Sequence, residues 1–147
     1  MPSRGVIRDG VRAALPAAVL SGVPSTLYAL WKRRDPLEAT AAAGSLLLPT
    51  EDRRLLLLMA AAPVHLALSV GWGVALAVVL PRRRVVLEGV TAGLLIAAFD
   101  LGVVGRRRPR IRQLHVPAQV ADHIAFTIMV AMALRRRPVG PPAVRGH

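Results

Sequence analysis

Four side chains in this chain could carry a proton or hold a cation, and all four lie inside apolar runs: His65, Asp100, Asp122 and His123. Asp122 and His123 are neighbours in the stretch QVADHIAF, residues 119–126. A histidine beside a carboxylate keeps its charge adjustable near neutral pH, which suits proton transfer. Two histidines and two aspartates could instead hold a divalent cation such as zinc or manganese, although no HExxH-type spacing accompanies them. The structural alternative is an Asp–His hydrogen bond that fixes helix register in an otherwise slippery bundle.

Supporting groups lie near these four. In SGVPST, residues 21–26, Pro24 cannot donate to the carbonyl of Leu20 and predicts a kink. Ser21, Ser25 and Thr26 place hydroxyls beside that freed carbonyl, and Pro63 frees the carbonyl of Met59 in the same way. Broken helices of this kind build ion sites in many transporters. At helical spacing, His65, Ser69 and Trp72 share one face, and Gln119, His123 and Thr127 share another. Gly89, Gly93 and Ala97 form a small-residue stripe with Asp100, a face built to meet another helix. No nucleophile elbow or phosphate loop is present, so the chain reads as a non-enzyme without a cofactor. His115 and His147 read as loop and tail residues without partners. Glu88 reads as an interfacial partner of Arg84 one turn earlier.

The elements that must position these groups follow from composition. The chain has 147 residues, 54% of them hydrophobic, and no cysteine. Apolar runs rich in Ala, Val and Leu alternate with clusters of arginine. A hydrocarbon core needs about 20 apolar helical residues. Four segments meet that length, at about 11–31, 55–80, 85–105 and 116–134. They lack the period-two alternation of strands, so the expected fold is an all-α membrane protein of four transmembrane helices. The first run is too long for a cleaved signal peptide and is followed at once by Lys32, Arg33 and Arg34. Between spans one and two, RDPLEATAAAGSLLLP predicts a short interfacial helix at about 36–48, with Asp35 as its cap and Glu38 closing a capping box. Thr50, Glu51 and Asp52 cap the second span. Residues 1–10 form an N-terminal segment, and 135–147 a flexible basic tail rich in Pro and Gly.

Antiparallel spans place His65, Asp100, Asp122, His123 and the SGVPST break in the same half of the bilayer, the half nearer the loop at 106–115. The net charge of +12 sits in arginine clusters directly after apolar runs, where it meets anionic lipid headgroups. With 3% aromatic residues and no recognition motif, nucleic acid is not the expected partner. Ten basic residues fall on each side, so charge does not fix orientation. The even span number puts both termini on one side, and the tendency of bacterial termini makes the cytoplasm the expected one.

The blocks SGVPSTLYAL, RDPLEATAAAGSLL, HLALSVGWG, DLGVVGRRRPRIRQL and QVADHIAF resemble a group of small four-span integral membrane proteins of actinobacteria. The resemblance implies a bundle in the bacterial plasma membrane and lends no role to any residue. The expectation is therefore a small inner-membrane protein whose buried Asp/His cluster handles a proton or cation, self-associating through the stripe of span three. The competing expectation is a non-catalytic scaffold in which the cluster only fixes packing.

Overall fold

The computed structural model describes residues 2–136; the expected flexible tail from 137 onward, with His147, lies outside the described residues. The described residues are helical with no strand. Helix α1 covers Arg4–Leu20, α2 Val23–Trp31, α3 Glu38–Gly44, α4 Arg54–Val79 and α5 Val85–Phe99. A π-helical turn at Asp100–Val104 and a 3-10 turn at Gly105–Arg107 follow, then α6 at Pro109–Arg112 and α7 at Val116–Arg135. Four stretches are long and apolar enough to cross a membrane: Arg4–Trp31, Arg54–Val79, Val85–Arg107 and Val116–Arg135.

Several boundaries differ from expectation for local reasons. The first long helix begins at Arg4, not Val11, because Ser3 accepts the amide of Val6 and caps it. It then breaks at Ser21–Gly22, just before Pro24, which sits in the first turn of α2 where its missing N–H costs little. Pro16 lies inside α1 without ending it. The interfacial helix is shorter than expected, since Asp35 holds the Leu37 amide in a turn and regular helix starts only at Glu38. It also docks rather than lying free, with Ala41, Ala42 and Gly44 buried. A Cβ on Gly44 would run into the Leu57 backbone of α4.

Small residues decide how the long helices meet. Gly10 of α1 lies against Gly73 and Val74 of α4, where a Cβ would come within 2.6 Å of the Val74 Cα. Gly89 and Gly93 of α5 lie against Ile128 and Ile124 of α7, with no room for a Cβ at either. Thr127 of α7, fully buried, donates its hydroxyl to the Gly89 carbonyl at 2.6 Å. The stripe of Gly89, Gly93 and buried Ala97 is therefore filled by α7 of the same chain. Self-association through that face is corrected: the face is already occupied.

Helix α7 is the hub, packed on α1, α2 and α5, while α4 packs mainly on α1 and α3. The core joins Ala13, Ala14 and Ala17 of α1 with Leu76 and Ala77 of α4, Ile96 of α5, and Phe126, Val130 and Leu134 of α7. Burying these side chains is what holds the half of the bundle nearer the 80–84 loop. In the other half no residue of α2 is buried, while Leu57, Ala60 and Ala61 of α4 are buried on the side of α3.

Both ends are finished by carboxylates. Glu88 accepts the amides of Arg82, Arg83 and Arg84 at 2.8–2.9 Å, so it pairs with the Arg84 backbone and not its guanidinium. That nest supports Arg82 in the left-handed region, φ 62°. At the opposite end Arg54 pairs with Asp35 and Arg110 with Asp52. Glu51 accepts the Arg53 guanidinium and the Arg53 and Asp52 amides, which hold its carboxyl down to about 2 from an ordinary 4.5. With the folded value depressed, this contribution is complete above pH 4.5 and is lost as pH falls toward about 2. A carboxyl-carbon NMR titration of Glu51 should give a midpoint near 2; a midpoint at the ordinary carboxylate value would mean these contacts do not persist in solution.

Candidate functional site

Asp122 and His123 are consecutive on α7, so their side chains leave the helix about 100° apart and cannot serve the same neighbour. They serve two. Asp122 points to the broken first span, where its Oδ1 accepts the Ser25 amide at 2.9 Å. Ser25 lies in the first turn of α2, whose leading amides have no partner within their own helix. Asp122 is thus a capping carboxylate supplied from another helix, at the positive end of the α2 dipole.

The other side of the same break is served by His65. Its Nε2 lies 2.8 Å from the carbonyl of Ala18, one of the last carbonyls of α1, and donates to it. Ser21, buried, and Ser25 direct their hydroxyls to the carbonyls of Ala18 and Gly22. The gap between α1 and α2 is clamped from both ends, by α4 on the carbonyl side and by α7 on the amide side. Thr26 is exposed and contributes only its backbone, through the Gly22 carbonyl.

His123 turns the other way. Its Nδ1 lies 2.7 Å from the Gln119 carbonyl one turn back, and its Nε2 lies 3.3 Å from Asp100 Oδ2 on α5. A carbonyl only accepts, so Nδ1 carries a hydrogen. In a neutral imidazole Nε2 would then present a lone pair to the carboxylate, which repels it. The contact is a hydrogen bond only when one more proton is present, on Nε2 or on Asp100. Trp72 Nε1, a donor only, also reaches Asp100 Oδ2 at 3.3 Å. Asp100 opens the π-helical turn, in which the Gly105 amide reaches back five residues to the Asp100 carbonyl. Such wide turns recur at functional sites. Gly105 is needed there, since a Cβ would meet Ile111 and the Asp100 carbonyl.

The single buried cluster of His65, Asp100, Asp122 and His123 is therefore corrected. His65 is exposed and bonds α1, while Asp122, Asp100 and His123 are half-buried. The Asp100 and His123 side chains are 20% and 21% exposed. The reason is angular: side chains at equal depth on different helices meet only when their faces are turned together. Among the described residues no three His, Asp or Glu side chains converge as a metal would need, so the zinc or manganese alternative lacks a ligand set. Gln119 contributes its carbonyl and not its amide side chain, and Thr127 serves the α5 contact. Ser69 is buried in α4 with no contact to the pair.

Two contributors were not expected. Trp72 bridges α4 to α5, whose backbones do not pack closely, and meets Phe99 edge-on at 6.0 Å. Its place on the His65 face and its lone donor were legible signals. His115 is not partnerless: its Nδ1 accepts the Ala118 amide at 3.4 Å and caps α7, and its ring stacks on Tyr28 of α2 at 3.9 Å. Nothing in the sequence spacing connects Tyr28 with His115.

The clamp carries a measurable consequence. Asp122→Ala leaves the Ser25 amide without its acceptor, at a cost of about 1–3 kcal/mol. Asp122→Asn keeps an acceptor oxygen and loses only the favourable charge at the α2 terminus, about 0.3–1 kcal/mol. Thermal unfolding in detergent should rank wild type, Asn and Ala in that order, with faster amide exchange at Ser25 in the alanine variant. Equal stability of wild type and Ala would remove the capping role.

Fold and site together define a class: an all-helical chain with four stretches long and apolar enough to cross a membrane, and a half-buried carboxylate–imidazole pair between the last two. Compared with known proteins, the chain matches no family model, no curated protein and no solved structure.

Proposed function

We propose that the protein spans a bacterial plasma membrane four times and that its Asp100–His123 pair binds and releases a proton. One observation carries the reading. The 2.7 Å contact of His123 Nδ1 with a carbonyl leaves Nε2 facing a carboxylate oxygen, a geometry that is favourable only with a shared proton. Ionisable side chains at membrane depth are costly and mark proton or ion paths when they persist. The pair is not sealed inside the bundle, its side chains being 20% and 21% exposed. The activity proposed is proton handling without a chemical transformation.

The second reading, a membrane scaffold or assembly partner, draws support from the clamp, where His65 and Asp122 bond backbone groups and satisfy a broken helix. Proton flux separates the two. The purified protein in liposomes loaded with a pH-sensitive dye should pass protons down an imposed gradient, and Asp100→Asn should suppress the flux. A well-inserted protein with no flux above empty liposomes, or with flux indifferent to Asp100, leaves the scaffold reading in place.

A further inference from the structure

Both contacts made by the Asp100 carboxyl fall on one oxygen. His123 Nε2 and Trp72 Nε1 each lie 3.3 Å from Oδ2. The two neighbours differ in what they can offer. Imidazole Nε2 donates or presents a lone pair according to its proton, whereas an indole N–H only donates. While the pair holds its proton, His123 and Asp100 share it and Trp72 donates to the same oxygen. Once that proton has left for water, Nδ1 still carries its hydrogen for the Gln119 carbonyl, so Nε2 turns a bare lone pair to an ionised oxygen. Among the described residues, Trp72 is then the one donor on that carboxylate.

The indole therefore bonds most strongly to the state without the proton. Hydrogen bonds to an ionised oxygen are about twice as strong as those between neutral groups. In the proton-bound state the charge on Oδ2 is neutralised by the proton or offset by the imidazolium, so the same N–H gains less. The fold holds Trp72 to this position. It reaches over from α4, whose backbone does not pack closely on α5, and Phe99 meets its ring edge-on at 6.0 Å. The other titratable side chains in electrostatic reach are committed to backbone groups. Asp122, beside His123 on α7, accepts the Ser25 amide, and His65 of α4, which acts on Asp122, bonds the Ala18 carbonyl. Resting on the proton reading above, we infer that Trp72 is the positioning residue that sets the pH at which the Asp100–His123 pair releases its proton.

The test is a pH titration of the full chain, with proton flux read in dye-loaded liposomes and NMR of His123 nitrogens and the Asp100 carboxyl read in detergent. Trp72→Phe keeps a ring against Phe99 and removes the N–H. Losing that donor should raise the proton affinity of the pair about tenfold, so the release midpoint and the flux profile both move up by about one pH unit. The chain has one other tryptophan, Trp31, 73% exposed and in contact with Lys32. Trp31→Phe should leave both readings where they were. Should Trp72→Phe not fold, benzothienylalanine at position 72 in the Trp31→Phe background replaces only the N–H by sulfur and should give the same shift. An unmoved midpoint with wild-type flux intact would overturn the role of Trp72 and leave the proton reading standing. Equal shifts on changing Trp31 and Trp72 would overturn it as well. A wild type that passes no protons and shows no shared proton would overturn the proton reading itself.

Discussion

Gly93→Leu should separate α5 from α7 and destabilise the protein by about 3 kcal/mol or more, the upper end of what overpacking costs. At this position even a single added carbon would stand 2.6 Å from the Ile124 Cα and 2.7 Å from Thr127 Oγ1. One of these is backbone, and the other belongs to a side chain held by its bond to the Gly89 carbonyl, so neither can step aside cheaply. Opening the contact also breaks that bond and exposes Ile96, Ala97 and Val130, which lie at or near zero exposure. Gly71→Leu is the matched control, because nothing lies within 4 Å of a Cβ there. Thermal unfolding of both variants in the same detergent reads the difference. If Gly71→Leu and Gly93→Leu unfold together, the close α5–α7 approach is not what holds the bundle.

Asp100→Asn should keep the fold and lose the proton. Trp72 Nε1 and His123 Nε2 both meet Oδ2, so the asparagine there either accepts from Trp72 or donates to the lone pair of a neutral His123. One of the two contacts therefore has a replacement, and no carboxylate remains to share a proton with Nε2. Nitrogen NMR of His123 with carbon NMR of Asp100 should show one proton held between Nε2 and the carboxyl in the wild type and a bare Nε2 in the variant, with Nδ1 protonated in both. Proton flux should fall by about a hundredfold or more, the scale set by removing one partner of a positioned proton transfer. Asp100→Ala makes a harsher comparison, since Trp72 loses its acceptor and stability falls by about 1–3 kcal/mol. A bare Nε2 facing an ionised Asp100 in the wild type would take away the basis of the proton reading.

Much of the molecule was legible before its structure. Continuous runs of Ala, Val and Leu fix the number of long helices, since a run of about 20 apolar residues leaves the backbone no better arrangement. Pro24 and Gly22 marked the break in the first span, because a missing N–H and a missing Cβ act within one turn wherever they occur. Gly89 and Gly93 announced a close helix contact. Asp100 and His123 were placed in the same half of the antiparallel bundle by depth alone, and the structure brings them to 3.3 Å.

What the sequence determined by itself is therefore one-dimensional: how many long apolar helices there are, roughly how far each runs, and at what depth each polar group lies. What only the tertiary structure decided is azimuth. It sent Asp122 to the Ser25 amide and His65 to the Ala18 carbonyl, dividing one expected cluster into a clamp and an Asp100–His123 pair. It gave the glycine stripe of α5 to α7 and not to a second copy. It also chose backbone groups as partners for Glu88, His65, Asp122 and Thr127. Every residue but proline carries the same N–H, and every residue the same carbonyl. Spacing along the chain cannot say which of them a side chain will meet, and only the rotation of one packed helix against another selects it.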